Sequence, residues 1–525
     1  MLAAAVAAAS ARVAVAVGIG CIFFVSSCEY MASAGSGAVR LMCKENDTLK
    51  LTAAFLSAGL LVIGLHAQQT PPLDAASREL ARDVFKQLIE INTTDSVGST
   101  TLAAEAMRKP LLDAGFPAED VVVLGPNERK GNMVARFRGK PGSTKRPVLI
   151  IGHIDVVEAK REDWTTDPFV FTEKDGYFYG RGTQDMKESD AAVVTSFIRL
   201  KREGFVPDRD IILALTADEE GGKSNGVDWL LKNHRDLVDA GFALNADAGG
   251  LNTEKGKPVN VGVEATEKLY ADFWLTVTNP GGHSSLPKKD NAIYHLADAL
   301  GRLEAYQFPF ELNVVTRGYF EAMEKIQKGE VAADMRGVLK TPADKGAVAR
   351  LSEDPLYNST LRTTCVATMV QAGHAPNALP QRAQANVNCR ILPGHTPAEV
   401  RAALIKAIAD PKVEVKLVND AGALSDRDEN EKSVTPPPLN EEVFGALHEV
   451  VGRMWPGLPI VPEMETGASD SKITMAAGIP SYGFSGMGID GDDVRAHGKD
   501  ERIGVEAFYT GVDFDYRYLK ALTGK

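Results

Sequence analysis

The sequence predicts an α/β protein with a mostly parallel central sheet, into which a smaller α+β domain of ferredoxin-like plan is inserted. Three observations predict it. Short apolar runs at 146–151 (RPVLII), 211–215 (IILAL) and 242–245 (FALN) read as strands buried on both faces, with helical periodicity between them. Each of these runs stops abruptly at polar residues, and in open α/β sheets the carboxyl ends of the strands carry the chemistry. Past about Thr266 the pattern changes to strand–helix–strand–strand–helix–strand, which suggests a separate unit.

A chain of 525 residues is too long for one hydrophobic core, so at least two domains are expected. An apolar fraction of 44% with 24% charged residues fits a globular protein, and the net charge of −12 argues against a nucleic-acid partner. No long basic tract or internal repeat is present.

Residues 1–70 differ from the rest and form a leader region. Leu2–Ser27 is rich in Ala and Val, and a second apolar run, Leu51–Leu65, follows Lys44 and Lys50. The second run has the length of a signal-peptide core and is short for a membrane span. The preferred reading is an over-extended start with a secretory signal running from about Met42, and hence an exported protein. An uncleaved membrane anchor and lipid attachment at Cys28 are the alternatives. Three of the five cysteines lie in this leader. The remaining two, Cys365 and Cys389, flank a turn at 374–380; a cross-strand bridge is open to them, but two reduced, buried thiols are expected.

Taken in order, Gln69–Asp74 is a linker, and Ala75–Ile91 places Leu80, Val84, Phe85, Leu88 and Ile89 on one helical face. The strand 146–151 runs into Gly152-His153-Ile154-Asp155. The Gly-rich YGRGTQDMK then presents Asp185 ahead of a helix at Ala191–Arg202. Ile211–Leu215 delivers Asp218, Glu219 and Glu220, and a helix near Val227–Val238 leads to Phe242–Asn245 and Asp247. The first part of the main domain is therefore placed at 75–265. The inserted domain, 266–420, opens with the alternating strand Leu269–Val277, GGHSS and a helix through Ala292–Leu303. Phe308–Asp354 reads as irregular and partly helical, like an insertion. Leu361–Val370 and Ala383–Leu392 suit a hairpin, Thr396-Pro397-Ala398-Glu399 opens a capped helix, and Val413–Val418 is a last strand. A polar, proline-ending stretch at Ala421–Pro438 returns the chain to the main domain, which occupies 430–525.

Adjacent carboxylates such as Glu219 and Glu220 repel, and burial makes that repulsion expensive unless a cation is near. Taken alone, the stretch is as well explained by a solvated acidic turn. With His153, Asp185 and Asp247 it becomes a set of nitrogen and oxygen donors without thiolate, the mix expected for zinc in a hydrolytic site, with cobalt or manganese as substitutes. A bridging carboxylate plus two ligands for each of two metals needs one donor more. Of the nine histidines, His66 lies in the leader, His234, His295 and His448 in helical stretches, and His374 and His395 at turns. His283 (PGGHSS) and His497 (RAHGKDER) remain.

The segments GHIDVV, GRGTQDMK, ADEEGG, NADAGG, GGHSS and AHGKDERI, in this order from about Ala75 to the C-terminus, resemble the co-catalytic zinc peptidase family of aminoacylase, carboxypeptidase S, glutamate carboxypeptidase and succinyl-diaminopimelate desuccinylase. The inserted region and the closing HGKDER are most similar to the carboxypeptidase S branch. Glu188 departs from the glycine that the family usually carries after DMK. The resemblance implies two Zn2+ per chain, one held by His153 and Asp247 and the other by Glu220 and His497, with Asp185 between them. It implies Asp155 as the residue that fixes the His153 ring, Glu219 as general base, and His283 as an oxyanion donor, usually to a partner subunit's site. It implies Arg390 (NCRILPG) as receiver of a substrate carboxylate and Asn377 (APNALP) as a neighbour of the substrate.

The resulting expectation is a di-zinc hydrolase that cuts the amide bond of small peptides or N-acyl amino acids next to a free carboxylate, and that forms a homodimer through the inserted domain. Two rival readings are an aminopeptidase-type di- or tripeptidase and a metal-free binding domain on the same fold.

Overall fold

A computed structural model describes residues 73–419, 422–426 and 435–525. The expected leader, residues 1–70, lies outside the described residues, as does much of the return segment 421–438. Among the described residues no helix is long and apolar enough to cross a membrane.

Among the described residues the main sheet has ten strands. Its centre is parallel: Val148–His153 lies between Ile211–Thr216 and Phe242–Asn245, and Ser481–Gly483 follows Phe242–Asn245. Val121–Leu124 and Asn132–Phe137 add antiparallel strands on one flank, while Gly250–Glu254 and Lys257–Glu267 form an antiparallel pair towards the other. Every residue of Val148–His153, Ile211–Thr216 and Phe242–Asn245 is buried, as expected for strands covered on both faces. The register pairs Val148 with both Ile211 and Phe242, so the three carboxyl ends come out level on one edge of the sheet.

Helices Ala75–Ile89, Lys187–Arg202 and Val505–Thr523 cover one face of this sheet. Asp74 caps the first, its carboxylate accepting from the Ser77 amide at 2.9 Å. Phe85, fully buried, stacks on Phe508 at 4.6 Å between ring centres and meets Phe171 edge-on at 5.4 Å. Truncating such a ring to alanine costs about 3–5 kcal/mol. The helix Lys187–Arg202 begins four residues earlier than its periodicity predicts. The helix expected near 227–238 is broken at His234 into Gly226–Asn233 and Arg235–Val238.

A second sheet runs in the spatial order Thr364–Ala372, Arg382–Ile391, Leu269–Thr278, Glu414–Val418, Leu424–Ser425. Its first four strands follow the expected βαββαβ plan, and a core of its own lies between this sheet and the helices Ala292–Ala305 and Pro397–Ile408, centred on Phe273, Leu275, Val387 and Leu404. Thr396 and Glu399 form a capping box at the start of the latter helix.

Two expectations are corrected. Residues 308–354 are not irregular: Val314–Ile326, Gly329–Val338, Lys345–Leu351 and Pro355–Leu361 are helices, three of them with Asn or Asp N-caps that bond the first-turn amides. Phe320, Met335, Leu351 and Leu361 give them a third small core, which packs against Val461 of the main sheet. Cys365 and Cys389 are not reduced thiols but a disulfide. The antiparallel register sets them directly opposite one another, with Cα atoms 4.1 Å apart, a pairing that only the strand alignment reveals.

Candidate active site

The level strand ends bring the donors together. Ile211–Thr216 is followed by a turn in which Asp218 takes φ +58°, swinging Glu219 and Glu220 back over the sheet edge. The buried Lys130 ammonium pairs with the almost wholly buried Asp218, so that carboxylate is spent on the turn rather than on the cluster. His153 Nε2 lies 3.0 Å from Asp185 Oδ1 and 3.4 Å from Asp247 Oδ1. The other oxygen of Asp185, Oδ2, lies 3.1 Å from His497 Nε2, which in turn lies 2.9 and 2.8 Å from the two oxygens of Glu220. Two groups have donor atoms close enough to hold an ion: His153, Asp185 and Glu220, and His153, Glu219 and Asp247.

The resemblance implies Asp155 as the residue that fixes the His153 ring by hydrogen bonding, normally a task for a carboxylate. Its backbone carbonyl does so instead, 3.1 Å from Nδ1, while the carboxylate oxygen stands off at 3.8 Å. That carboxylate accepts from the amides of Glu219 and Glu220, at 3.2 and 3.0 Å, and so holds the acidic turn to the end of the neighbouring strand. One residue thus sets both the imidazole and the turn.

The electrostatics are those of a site short of positive charge. Burial, helped by the nearby Asp247, Asp470 and Glu220 carboxylates, pushes the Glu219 carboxyl up to about 9, and burial together with Asp185 pushes Glu220 up to about 7. Hydrogen bonding to Asp185 raises the His497 imidazole to about 9. Asp185 moves the other way: burial would raise it, but the His153 and His497 rings hold it well below the usual carboxylate range. Four carboxylates facing two imidazoles in a mostly buried pocket leave an excess of negative charge that a divalent cation would offset. The donor set therefore fits hard-to-borderline metal ions.

The remaining expected residues lie on the second sheet and its loops. His283 is exposed, and its Nδ1 lies 2.8 Å from Ser285 Oγ. Its short strand pairs with Ala378–Leu379, and the Ser284 amide donates to the Asn377 carbonyl at 3.1 Å, so His283 and Asn377 are neighbours. Neither belongs to the donor cluster. Arg390 leaves the strand Arg382–Ile391, lies over the Tyr270 ring at 4.8 Å, and reaches to 3.5 Å from the Thr466 carbonyl of the main domain's second part. Among the described residues no carboxylate pairs with it.

Several residues around the cluster escaped the sequence reading. Lys187, fully buried, donates at 2.9 Å to the carbonyls of Leu88 and Ile91, closing the end of the first helix; burial brings its ammonium down to about 7. Asp190 packs so tightly under Gly152 that a Cβ there would strike its carboxylate. Gln184 and Glu501 tie the strand-end loops to one another. Their types gave no signal, because each works through partners hundreds of residues away.

Residues 149–521 match Peptidase family M20/M25/M40. The N-fatty-acyl-amino acid synthase/hydrolase PM20D1 of Homo sapiens is 30% identical over 386 residues, covering 71% of this chain and 74% of that protein. The probable carboxypeptidase S-like 2 of Dictyostelium discoideum is 29% identical over 408 residues, with 74% of each chain covered. Among solved structures, the M20 family metallo-carboxypeptidase Sso-CP2 from Sulfolobus solfataricus superposes with a TM-score of 0.59 at 18% identity, covering 86% of this chain and 99% of that one. Human carnosine dipeptidase 1 does so with a TM-score of 0.55 at 15% identity, covering 87% and 100%; both show likeness of fold. The fold and family match make the protein an enzyme of the metallopeptidase and amidohydrolase class. It belongs to Peptidase family M20/M25/M40.

Proposed function

We propose that the chain is an exported di-zinc hydrolase that cuts an amide bond beside a free carboxylate, in small peptides or N-acyl amino acids. The observation that carries this reading is Asp185: it turns one oxygen to His153 and the other to His497, as a carboxylate shared between two metal positions would. His153 and Asp247 would hold one ion, and Glu220 and His497 the other. Cobalt or manganese suits the same donors. Bound there, the ions would supply Lewis acidity towards the scissile carbonyl and towards water.

The chain's own residues do the rest. Glu219 lies beside His153 and Asp247, yet no hydrogen bond of its own side chain holds its carboxylate among the described residues, so it is free to take a proton from the attacking water and return it to the leaving amine. Asp155 keeps that carboxylate in place through the backbone of the turn. Arg390, with no acid of its own, receives the substrate carboxylate by a two-pronged contact, with Asn377 nearby. An unpaired arginine favours this over the aminopeptidase reading, which would want an acid to meet a free ammonium.

His283 supplies an oxyanion donor. Its separation from the donor cluster within one chain supports action on a second copy, with residues 266–420 serving as lid and dimerisation domain between the two parts of the catalytic domain, 75–265 and 430–525. The relatives named above support both substrate classes, since one is named for N-fatty-acyl amino acids and another for carboxypeptidase S.

The test is metal analysis of the purified protein alongside a matched screen of dipeptides, N-acyl amino acids and their C-terminal amides. About two zinc per chain, reversible loss of turnover with chelator, and discrimination against the amides are expected. Full activity without metal would overturn the reading, and preference for a free N-terminus would move the enzyme to the aminopeptidase class.

A further inference from the structure

Two motif residues have no part in the chemistry proposed above: Gln184, in GRGTQDMK, and Glu501, in AHGKDERI. His497 needs outside help to stand where it does. It lies in a loop, at φ +62°, with more than half of its side chain exposed, and its ring is bonded by Asp185 and Glu220.

The loop is instead fastened to the segment that carries Asp185. The Gln184 side chain, one residue before Asp185, uses its whole hydrogen-bonding capacity on this loop. Its amide nitrogen donates to the carbonyls of Asp493 at 3.0 Å and Arg502 at 2.7 Å. Its oxygen accepts from the amides of Arg495 at 2.6 Å and Ala496 at 3.2 Å. Glu501, wholly buried, answers in the other direction: its carboxylate accepts from the amides of Gly182 at 3.1 Å and Gln184 at 2.6 Å, and from Arg181 at 2.6 Å. Arg181 then donates to the Gly498 carbonyl, next to His497, at 2.9 Å.

We infer that Gln184, backed by Glu501, is a positioning residue that sets the affinity of one metal position, the one completed by His497, and leaves the other largely alone. The asymmetry follows from the geometry. His153 and Asp247 leave buried strand ends that the sheet itself holds in register, whereas His497 lies in a loop that this clamp ties to the segment carrying Asp185. A side chain that fixes a ligand without touching the ion changes metal affinity by about 10- to 100-fold. A merely structural residue would lower stability without choosing between the two positions.

The inference rests on His497 being a metal ligand, and the experiment separates the two. Metal-free full-length protein is titrated with Zn2+ alone in a calorimeter, comparing wild type with Gln184→Met, Gln184→Glu, His497→Ala and the double variant Gln184→Met/His497→Ala. Gln184→Met keeps the volume and loses all four bonds; Gln184→Glu keeps the acceptor and loses the donors. Expected is one tight site unchanged in Gln184→Met and the second weakened roughly 10- to 100-fold, with Gln184→Glu between it and wild type. The double variant should be no worse than His497→Ala. Two unchanged sites in Gln184→Met, or equal weakening of both, would overturn the inference. So would loss of fold in both Gln184 variants by circular dichroism, which would make Gln184 a residue of general stability. Two tight sites in His497→Ala would overturn it together with the ligand assignment beneath it.

Discussion

The donor cluster and the face that carries His283, Asn377 and Arg390 are built in opposite ways. The cluster is assembled at one sheet edge: parallel strands of matched register bring out His153 and the turns that carry Glu220 and Asp247, and the loop ahead of the helix Lys187–Arg202 brings Asp185 to 3.0 Å from His153. On the second sheet, His283 touches its own Ser285, and Arg390 lies over Tyr270 and forms no ion pair among the described residues. The first arrangement holds its partners in advance. The second presents side chains that, under the proposed function, would meet a substrate carboxylate or a second copy of the chain. A chain can therefore carry a finished site for reaction and an unfinished one for recognition, and substitutions in the two should fail differently.

The largest expected effect tests the finished half. Glu219→Gln should lower kcat by roughly 10²–10⁴ while metal content stays near wild type. Glu220→Gln should lose metal first and activity as a consequence. Elemental analysis beside kinetics decides; equal metal loss in both would mean that base and ligand have been assigned the wrong way round.

Next comes His283→Ala, with an expected fall of about 10²–10³ in kcat at full metal content. If the residue works across a dimer, mixing this variant with Glu219→Gln under subunit exchange should restore about a quarter of wild-type activity, since half of the dimers are mixed and each has one intact composite site. Exchange without recovery would put His283 back into its own chain and weaken the contrast between the two halves.

Arg390→Lys should cost about 1.5–3 kcal/mol, or roughly 10- to 100-fold in kcat/KM, nearly as much as Arg390→Ala, because an ammonium cannot reproduce the planar fork. The loss should shrink for C-terminally amidated substrates. If it is the same for all substrates, Arg390 is structural. The smallest effect on turnover is expected from the double variant Cys365→Ser/Cys389→Ser. The bridge closes a loop with a sequence separation of 24 residues, worth about 2–4 kcal/mol of stability by urea unfolding. A large change in KM instead would show that the bridge also holds the neighbouring Arg390 in place.

What could be read from the sequence differs along the same line. The strands Val148–His153, Ile211–Thr216 and Phe242–Asn245 were legible because full burial leaves uninterrupted apolar runs, and the polar residues at their ends stood out against them. The βαββαβ plan was legible from the change in periodicity at Thr266. The helices between Val314 and Leu361 were not, because they are short and Gly329, Pro342 and Pro355 punctuate the pattern at their starts and between them. The Cys365–Cys389 bridge depends on a strand register that no local pattern encodes. Gln184 and Lys187 act on partners 309–318 and 96–99 residues away, and a motif shows that such residues recur together without showing what they hold.

The Lys187 contact bears on where this protein can be cut. The family match begins at residue 149, which invites treating everything before it as dispensable. Yet the carbonyls that receive the Lys187 ammonium belong to Leu88 and Ile91, and Phe85 lies in the same aromatic layer as Phe171, Phe178 and Phe508. A fragment trimmed to the match would strand a buried cation two residues from Asp185 and open the floor beneath it. The smallest autonomous form of this enzyme therefore has to keep a helix that lies outside the match at 149–521.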